Sequence, residues 1–194
     1  MTMKSLLTCL LFLFSSSLVM AQSDTLSGDI PLTITVFSES VSLPNFKNIF
    51  KNGSLGVRIG TELYYSKSDS RQLIQTINLS YYSHKDLHNA FSLTSEFGYR
   101  RFFGNAFADA TVGVGYMLIH SAMPRYENVN GDFVKTSSIF GRFAPTLGLG
   151  AGYRFKNFSA FTRYEMYGEM PFGFKGIPAL PHKTIHIGTR LNLK

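Results

Sequence analysis

The sequence predicts an all-β protein, a single eight-stranded antiparallel up-and-down transmembrane β-barrel, on three observations. After a removable N-terminal segment, the chain contains eight stretches in which apolar and polar residues alternate. The connections between these stretches are long, short, medium, short, long, short and long in turn. A sheet with one apolar and one polar face, whose hairpins are tight at one end and long at the other, is typical of a closed barrel in an outer membrane.

Residues 1–21 have the three-part plan of a secretory signal peptide. Lys4 supplies a positive charge, the run from Leu6 to Leu18 is largely apolar with serines, and small residues end the segment at Ala21. We therefore expect cleavage after Ala21 and export of the chain. The mature part, 22–194, is long enough for one compact domain, which we predict to be the barrel.

Cys9 is the only cysteine of the chain and lies inside this segment. The tetrapeptide Leu6-Leu-Thr-Cys9 offers a lipoprotein signal as an alternative, but the apolar run continues well beyond Cys9. Cleavage after Ala21 removes Cys9, so the mature chain would have no thiol for a disulfide, a nucleophile or a metal.

The alternation places eight predicted strands along most of the mature chain. Their bounds are 31–40, 55–67, 71–84, 90–103, 106–123, 138–155, 158–170 and 183–194. The connections between them are 41–54, 68–70, 85–89, 104–105, 124–137, 156–157 and 171–182. Every second connection is short, and Gly104-Asn105 and Lys156-Asn157 suit tight hairpins.

Charged residues lie on the polar face in the middle of these strands, and the two signs are balanced. In the second strand Arg58 and Glu62 oppose Val57 and Ile59, because successive side chains point to opposite sides. All six basic residues of this face are arginine, whereas the lysines fall in loops, in turns or near strand ends. The charged residues of the polar face are Arg58, Arg100, Arg142, Arg154, Arg163, Arg190, Glu39, Glu62, Glu96, Asp109, Glu165 and Glu169.

We interpret this set as a charge-paired lumen with a structural role. The planar fork of arginine pairs with carboxylates through two bonds, and an unpaired ion in an enclosed interior would be strongly destabilising. The lumen of an eight-stranded barrel is just wide enough for its own side chains, so we predict a plugged interior. Five glycines on the same face would leave room for the long arginines: Gly113, Gly115, Gly148, Gly150 and Gly152.

Three residues depart from the pattern. Pro145 lies inside the sixth predicted strand, where a closed barrel has no free edge, so we expect a local bulge. Gln75 and Arg101 fall on the lipid-facing side, but near the short-turn end, from which both would reach lipid headgroups. Tyrosines near strand ends, such as Tyr99 and Tyr153, fit aromatic girdles at the membrane interfaces, although tyrosine is also common in strands generally.

Five segments of the mature chain carry a family resemblance. They are Leu63–Lys67, Ser95–Tyr99, Phe107–Ala110, Gly113–Tyr116 and Pro181–Arg190, together with the junction Met20-Ala-Gln22. They resemble the small outer-membrane barrels of Gram-negative bacteria, the OmpX-like class, and in particular uncharacterised barrel proteins of the Bacteroidota. The resemblance implies insertion by the barrel-assembly machinery, with short turns in the periplasm and long loops outside. The chain departs from the pattern by ending at Lys194 and not at an aromatic residue.

Histidines are the candidates for chemistry at the long-loop end. A lipid A-modifying outer-membrane enzyme is the main alternative, and the lipid A deacylases carry a His-any-Ser pair on one strand. Here Ser83-His84 and His120-Ser121 are directly adjacent, so the two side chains of each pair point apart and no histidine reaches its serine. The candidate loop site consists of His84, His88 and His182.

His84, Asp86 and His88 also have a spacing that would place three metal ligands on one side of an extended segment. Lys85 and Asn89 make the same segment an equally good polar hairpin, so we predict no metal site and no cofactor. The sequence contains no glycine-rich phosphate loop and no zinc-binding spacing.

The formal net charge of +7 at pH 7 favours an anionic partner. Export excludes nucleic acid in practice, whereas outer-membrane lipids and lipopolysaccharide would meet the loops. The basic residues of this outer end are Lys47, Lys51, Lys85, Lys135 and Lys175, with Arg125 and Lys183 at the rims. We therefore predict a monomeric, non-enzymatic outer-membrane protein whose loops contact lipopolysaccharide or a surface partner. The alternatives are the lipid A-modifying enzyme and a narrow pore.

Overall fold

A computed structural model describes residues 30–41, 54–84, 88–129, 131–171 and 179–192. The predicted signal peptide and much of the long connections lie outside these residues. The strands are β1 (Pro31–Val41), β2 (Ser54–Lys67), β3 (Arg71–His84), β4 (His88–Phe103), β5 (Ala106–Ser121), β6 (Arg125–Val129), β7 (Asp132–Thr136), β8 (Ile139–Arg154), β9 (Phe158–Glu169) and β10 (Leu180–Asn192). Within the described ranges, no helix is long and apolar enough to cross a membrane.

Eight strands close into an antiparallel barrel in the order β1-β10-β9-β8-β5-β4-β3-β2. The first and last strands meet in a seam that runs from the pair Pro31↔Asn192 to the pair Val41↔His182. The predicted eight-stranded up-and-down barrel is therefore confirmed. The remaining strands, β6 and β7, form a separate hairpin inside the predicted connection 124–137, where we expected no strand.

The barrel wall is apolar outside and polar inside, which reverses the arrangement of a soluble protein. On β2 the outward Val57 and Ile59 expose 53% and 55% of their surface, whereas the inward Arg58 exposes 6%. The alternation predicted for this strand is thus confirmed. An apolar belt of this kind is suited to lipid, because soluble proteins rarely expose large contiguous apolar surface.

Pro145 sits in β8 without the bulge that we predicted. It keeps its register against Val114 of β5. Phe143, two residues earlier, donates its N–H to Met170 O on the β9 side, so the missing N–H of Pro145 also faces β9. The regular β8–β9 ladder stops at the pair Thr146↔Tyr167 and resumes as an isolated bridge between Phe143 and Met170. The closed sheet accommodates the proline by a gap in one ladder, so no extra residue is needed.

A bulge does occur on β2, where the register with β3 shifts between Tyr64 and Ser66. The extra residue, Tyr65, donates a hydrogen bond to Gln75 on the outer surface. The amide of Gln75 in turn donates to Ser95 Oγ at 2.9 Å. Gln75 is therefore satisfied by neighbouring side chains on the wall, which corrects the expectation that it reaches lipid headgroups.

Inward-facing glycines admit the side chains of the neighbouring strand. A Cβ on Gly113 would lie 2.8 Å from Cγ of Glu96, and a Cβ on Gly150 would overlap Oδ1 of Asp109. A Cβ on Gly148 would lie 3.4 Å from Cδ of Arg163. The space serves carboxylates as well as arginines, so the predicted role of these glycines was too narrow.

Candidate functional site

Charged side chains fill the lumen in three clusters, and the first lies near the short turns. This Glu62 cluster consists of Glu62, Arg100, Asp109 and Arg190, each at most 7% exposed. Arg100 donates from Nη1 and Nη2 to the two oxygens of Glu62 at 2.9 and 2.8 Å. Arg100 also donates to Asp109, and Arg190 Nη2 lies 2.7 Å from Glu62 Oε1. Two arginines and two carboxylates thus compensate one another in a buried cluster.

The second, or middle, cluster pairs Arg58 with Glu165 and Arg163 with Glu96. Arg58 donates two hydrogen bonds to the carboxylate of Glu165, at 2.7 and 2.8 Å. Arg163 Nη1 donates to Glu96 Oε2 at 2.9 Å, and His186 Nε2 lies 3.7 Å from Glu165 Oε2. Both ion pairs join strands that are not neighbours in the sheet, so they brace the wall across the lumen.

The third, or mouth, cluster lies where the lumen opens toward the long loops. His182 Nδ1 is 2.7 Å from Glu39 Oε1, and its Nε2 is 3.5 Å from Glu169 Oε2. Ser54 Oγ donates to Glu39 Oε2 at 2.6 Å, and Arg142 Nε donates to Glu169 Oε1 at 3.0 Å. One histidine is therefore held between two carboxylates, and each carboxylate accepts a further hydrogen bond.

Arg154 is the predicted lumen arginine that joins none of these clusters. Its guanidinium carbon lies 4.5 Å from the ring centroid of Phe102, a cation–π contact near the short turns. Within the described residues, no carboxylate lies within ion-pair distance of Arg154. The structure thus places eleven of the twelve charged residues of the polar face in these clusters and the twelfth on an aromatic ring.

An apolar layer separates the middle cluster from the mouth cluster, and the sequence analysis missed it. Phe37, Met117, Ile119 and Ala144 point inward and are each at most 4% exposed. The guanidinium carbon of Arg58 lies 5.7 Å from the ring centroid of Phe37, which places this layer directly above the charges. The sequence could have predicted this for Phe37, because residues two apart in a strand point to the same side and Glu39 was assigned to the inner face.

Two small cavities lie between these side chains. A cavity of about 20 Å³ is lined by residues that include Phe37, Arg58, Thr146 and Tyr167. A second cavity, of about 10 Å³, lies between Arg163 and residues of β1. Each has room for roughly one water molecule. Neither offers a continuous path along the lumen.

His84 and His88 form a cross-strand pair at the mouth, with ring centroids 5.8 Å apart. His88 Nε2 lies 3.4 Å from the hydroxyl of Tyr82, which accepts a hydrogen bond from the hydroxyl of Tyr167 at 3.3 Å. The ring of Tyr167 stacks on His182 with centroids 4.5 Å apart. The three candidate histidines therefore converge on one side of the mouth, with two tyrosines between them.

This arrangement differs from that of a nucleophilic enzyme. Ser54 is linked to His182 through the carboxylate of Glu39. Its hydroxyl donates to Glu39 and not to the imidazole of His182. A general base must accept the proton of the nucleophile, and here a carboxylate stands between the two groups. Within the described residues, no three metal-ligating side chains are placed to hold an ion. Asp86, the third residue of the candidate metal motif, lies outside those residues.

His182, predicted for a loop, and Lys183, predicted for the rim, are both buried residues of the wall. β10 begins at Leu180, three residues earlier than expected, so the strand contains His182 as well as Lys183. They are 2% and 1% exposed, so Lys183 is not an exposed rim cation. The earlier start follows from pairing with β9, which continues to Leu180↔Glu169.

Comparison with known proteins identifies the fold. No family model matches the chain, and no curated protein matches it. Neisserial surface protein A (NspA) superposes with a TM-score of 0.56 at 9% identity, over 84% of this chain and 96% of that one. Ail, the attachment invasion locus protein of Yersinia pestis, gives 0.51 at 13% identity, over 84% and 97%. The outer membrane enzyme PagL gives 0.49 at 13% identity, over 84% and 99%, which is too distant to inform on activity.

The chain has the fold of the small eight-stranded outer-membrane β-barrels, with which the OmpX-like class is consistent. At these identities the likeness concerns the fold alone. The more particular resemblance to barrels of the Bacteroidota stays a prediction from the sequence.

Proposed function

We propose that the protein is a non-enzymatic outer-membrane β-barrel whose charge-paired lumen makes the wall rigid and whose long loops contact lipopolysaccharide or another surface partner. The observation that carries the first part is the Arg58–Glu165 pair, which joins two walls of the barrel across the lumen. The exposed apolar outer face supports placement in a membrane. The N-terminal segment 1–21 supports export as a cleavable signal peptide.

The bracing role is tested by alanine substitution at Arg58 or at Glu62. Removing one partner of a buried ion pair costs about 3–5 kcal/mol, because the other charge stays buried without compensation. We expect both variants to lower the thermal midpoint in detergent, read from heat-modifiable migration on gels. Lys135→Ala, on the exposed β7, is the control and leaves the midpoint unchanged. Unchanged midpoints for Arg58→Ala and Glu62→Ala would contradict the bracing role.

A pore is the alternative reading of a charged lumen. It requires the acidic and basic side chains to line opposite walls, whereas here they pair with one another. Recordings in planar bilayers are expected to show no resolved conductance steps. Clear steps would overturn the plugged lumen.

The loop contribution is supported by the β6–β7 hairpin, which stands apart from the barrel sheet. Tyr126 and Phe133 expose 59% and 75% of their surface, and Lys135 pairs with Tyr126 across the hairpin. Aromatic rings beside a cation suit a lipid headgroup region. The double substitution Phe133→Ser and Lys135→Gln is expected to weaken binding of lipopolysaccharide to the purified barrel. Lys156→Gln, at the opposite end, is the control; equal binding by all three proteins would contradict the loop role.

The lipid A-modifying enzyme is separated from this proposal by mass spectrometry of lipid A. Cells with and without the protein are expected to have the same acylation pattern. A changed pattern that His182→Ala or His84→Ala abolishes would establish the enzyme and overturn the non-enzymatic assignment.

A further inference from the structure

Two arginines lie side by side on the outer surface near the short turns. Arg71 of β3 and Arg101 of β4 are directly opposite residues in the strand register. Both are exposed, and both point outward like Leu73 and Tyr99, which form the next cross-strand pair on the same face. Like charges directly opposite on one face of a sheet destabilise the pairing. An anion between the two guanidinium groups would remove that cost.

Among the described residues, no side chain supplies this anion. Within the described ranges, neither Arg71 nor Arg101 lies within ion-pair distance of a carboxylate. Asp69, in the turn before Arg71, is exposed and pairs with neither. Lys67 at the end of β2 and Lys156 in the turn between β8 and β9 are exposed near the same end of the barrel, so basic residues outnumber this carboxylate around the pair.

We propose that Arg71 and Arg101 bind the phosphate of an anionic glycerophospholipid at the short-turn rim of the barrel. A phosphodiester has two free oxygens, and a guanidinium fork suits each of them. The pair lies beyond Leu73 and Tyr99 of the apolar wall, toward the short turns, and the exposed Phe103 is the next outward residue of β4. A lipid headgroup whose acyl chains lie along that wall has its phosphate at this level. The proposal rests on the membrane placement given under the proposed function.

The wall beside Arg101 has space for an acyl chain. Arg101 pairs with Ala108 of β5, and Ala108 pairs with Ala151 of β8, so two small exposed side chains follow the arginine around the barrel. Larger outward residues flank this row on β4 and β8, where Phe103 is 65% exposed and Leu149 is 62% exposed, whereas Ala108 is flanked on β5 by the small Ala106 and Ala110. The acyl chain of the bound lipid would lie over the two alanines.

The test is native mass spectrometry of the purified barrel, released from detergent in the presence of phosphatidylglycerol or phosphatidylcholine. We expect phosphatidylglycerol to be retained and phosphatidylcholine to be lost. Arg71→Gln and Arg101→Gln should each reduce retention of phosphatidylglycerol about fivefold. Lys156→Gln removes the same charge from a neighbouring turn, and it should change retention less than about twofold, because isolated exposed charges contribute little. Ala108→Leu keeps every charge and should reduce retention by filling the space for the chain.

Equal retention by wild type and the Arg71→Gln, Arg101→Gln double variant would overturn the proposal. An equal loss in Lys156→Gln would also overturn it, because it would show diffuse attraction to the basic rim. Flotation of the wild type with vesicles of each lipid separates this result from failure of the membrane placement. A barrel that floats with both lipids and retains neither contradicts the phosphate site alone, whereas one that floats with neither contradicts the proposed function.

Discussion

Arg58 and Glu165 form a two-bonded ion pair across the lumen, although they are 107 positions apart and lie on strands that are not neighbours. Both side chains are almost fully buried, at 7% and 1% exposure. A pair of this kind constrains the distance between two parts of the wall, which backbone hydrogen bonds between adjacent strands do not. The stability of the barrel should therefore respond to side chains that never touch lipid or loops.

The first prediction is that Arg58 and Glu165 are strongly coupled. Arg58→Met and Glu165→Leu should each destabilise the barrel by about 3–5 kcal/mol, because each leaves one buried charge alone. The double variant should be much closer to wild type, since two apolar side chains of similar volume replace the pair. Urea unfolding in detergent measures all four proteins. Additive losses in the double variant would show that the two residues do not act as a pair.

The second prediction compares Glu62 with Glu169. Glu62 compensates both Arg100 and Arg190 in a buried cluster, whereas Arg142, the partner of Glu169, has an 18% exposed side chain. Glu62→Gln should therefore cost about 3–5 kcal/mol and Glu169→Gln about 1 kcal/mol. Unfolding of the two isosteric variants under identical conditions gives the comparison. A larger loss at Glu169 would be inconsistent with the Glu62 cluster as a main support of the wall.

The third prediction concerns space inside the lumen. A methyl group at Gly150 would overlap the carboxylate of Asp109, which accepts hydrogen bonds from Arg100. Gly150→Ala should destabilise the barrel by about 1–3 kcal/mol through this overpacking. Gly168→Ala is the matched control, since its methyl group would meet Ala179 Cβ at an ordinary 3.4 Å. Equal stability of the two variants, measured by thermal unfolding, would contradict the tight fit at Asp109.

The fourth prediction concerns the mouth cluster. His182 lies between Glu39 and Glu169, so His182→Ala would leave two buried carboxylates without the group between them. We expect this variant to be destabilised, and we expect Glu39→Gln added to it to restore part of the loss by removing one of the two charges. Thermal unfolding of the single and double variants tests the rescue. A double variant less stable than His182→Ala would exclude repulsion between the carboxylates as the cause.

The sequence predicts which side chains face the lumen but not which of them meet. Alternation assigns Arg58, Glu165 and Glu96 to the inner face because the period of a strand is two residues. Their partners depend on the stagger of the closed sheet, which follows from the register of every strand pair together. For this reason Arg58 could be placed inside from the sequence, whereas its pairing with Glu165 required the structure.

The deviations from the sequence analysis have local physical causes. Pro145 produced a ladder gap because its missing N–H faces only one neighbour. His182 became part of the wall because β10 extends beyond its apolar stretch to pair with β9. Phe37 and Met117 were overlooked because they follow outward apolar residues, Val36 and Tyr116, and a run of apolar residues does not show which side chains point inward. Strand ends and inward apolar residues are therefore where pattern alone is weakest.

The seam between β1 and β10 governs the order in which this protein can be completed. Until the last strand is in place, β1 and β9 both present an unpaired edge, and unpaired edges template aggregation. Closure then joins residues from opposite ends of the chain, a contact of very long sequence separation that slows folding. The partly built barrel must therefore persist as an open sheet for longer than any of its hairpins takes to form. Whatever shields those two edges during that interval sets the yield of folded protein.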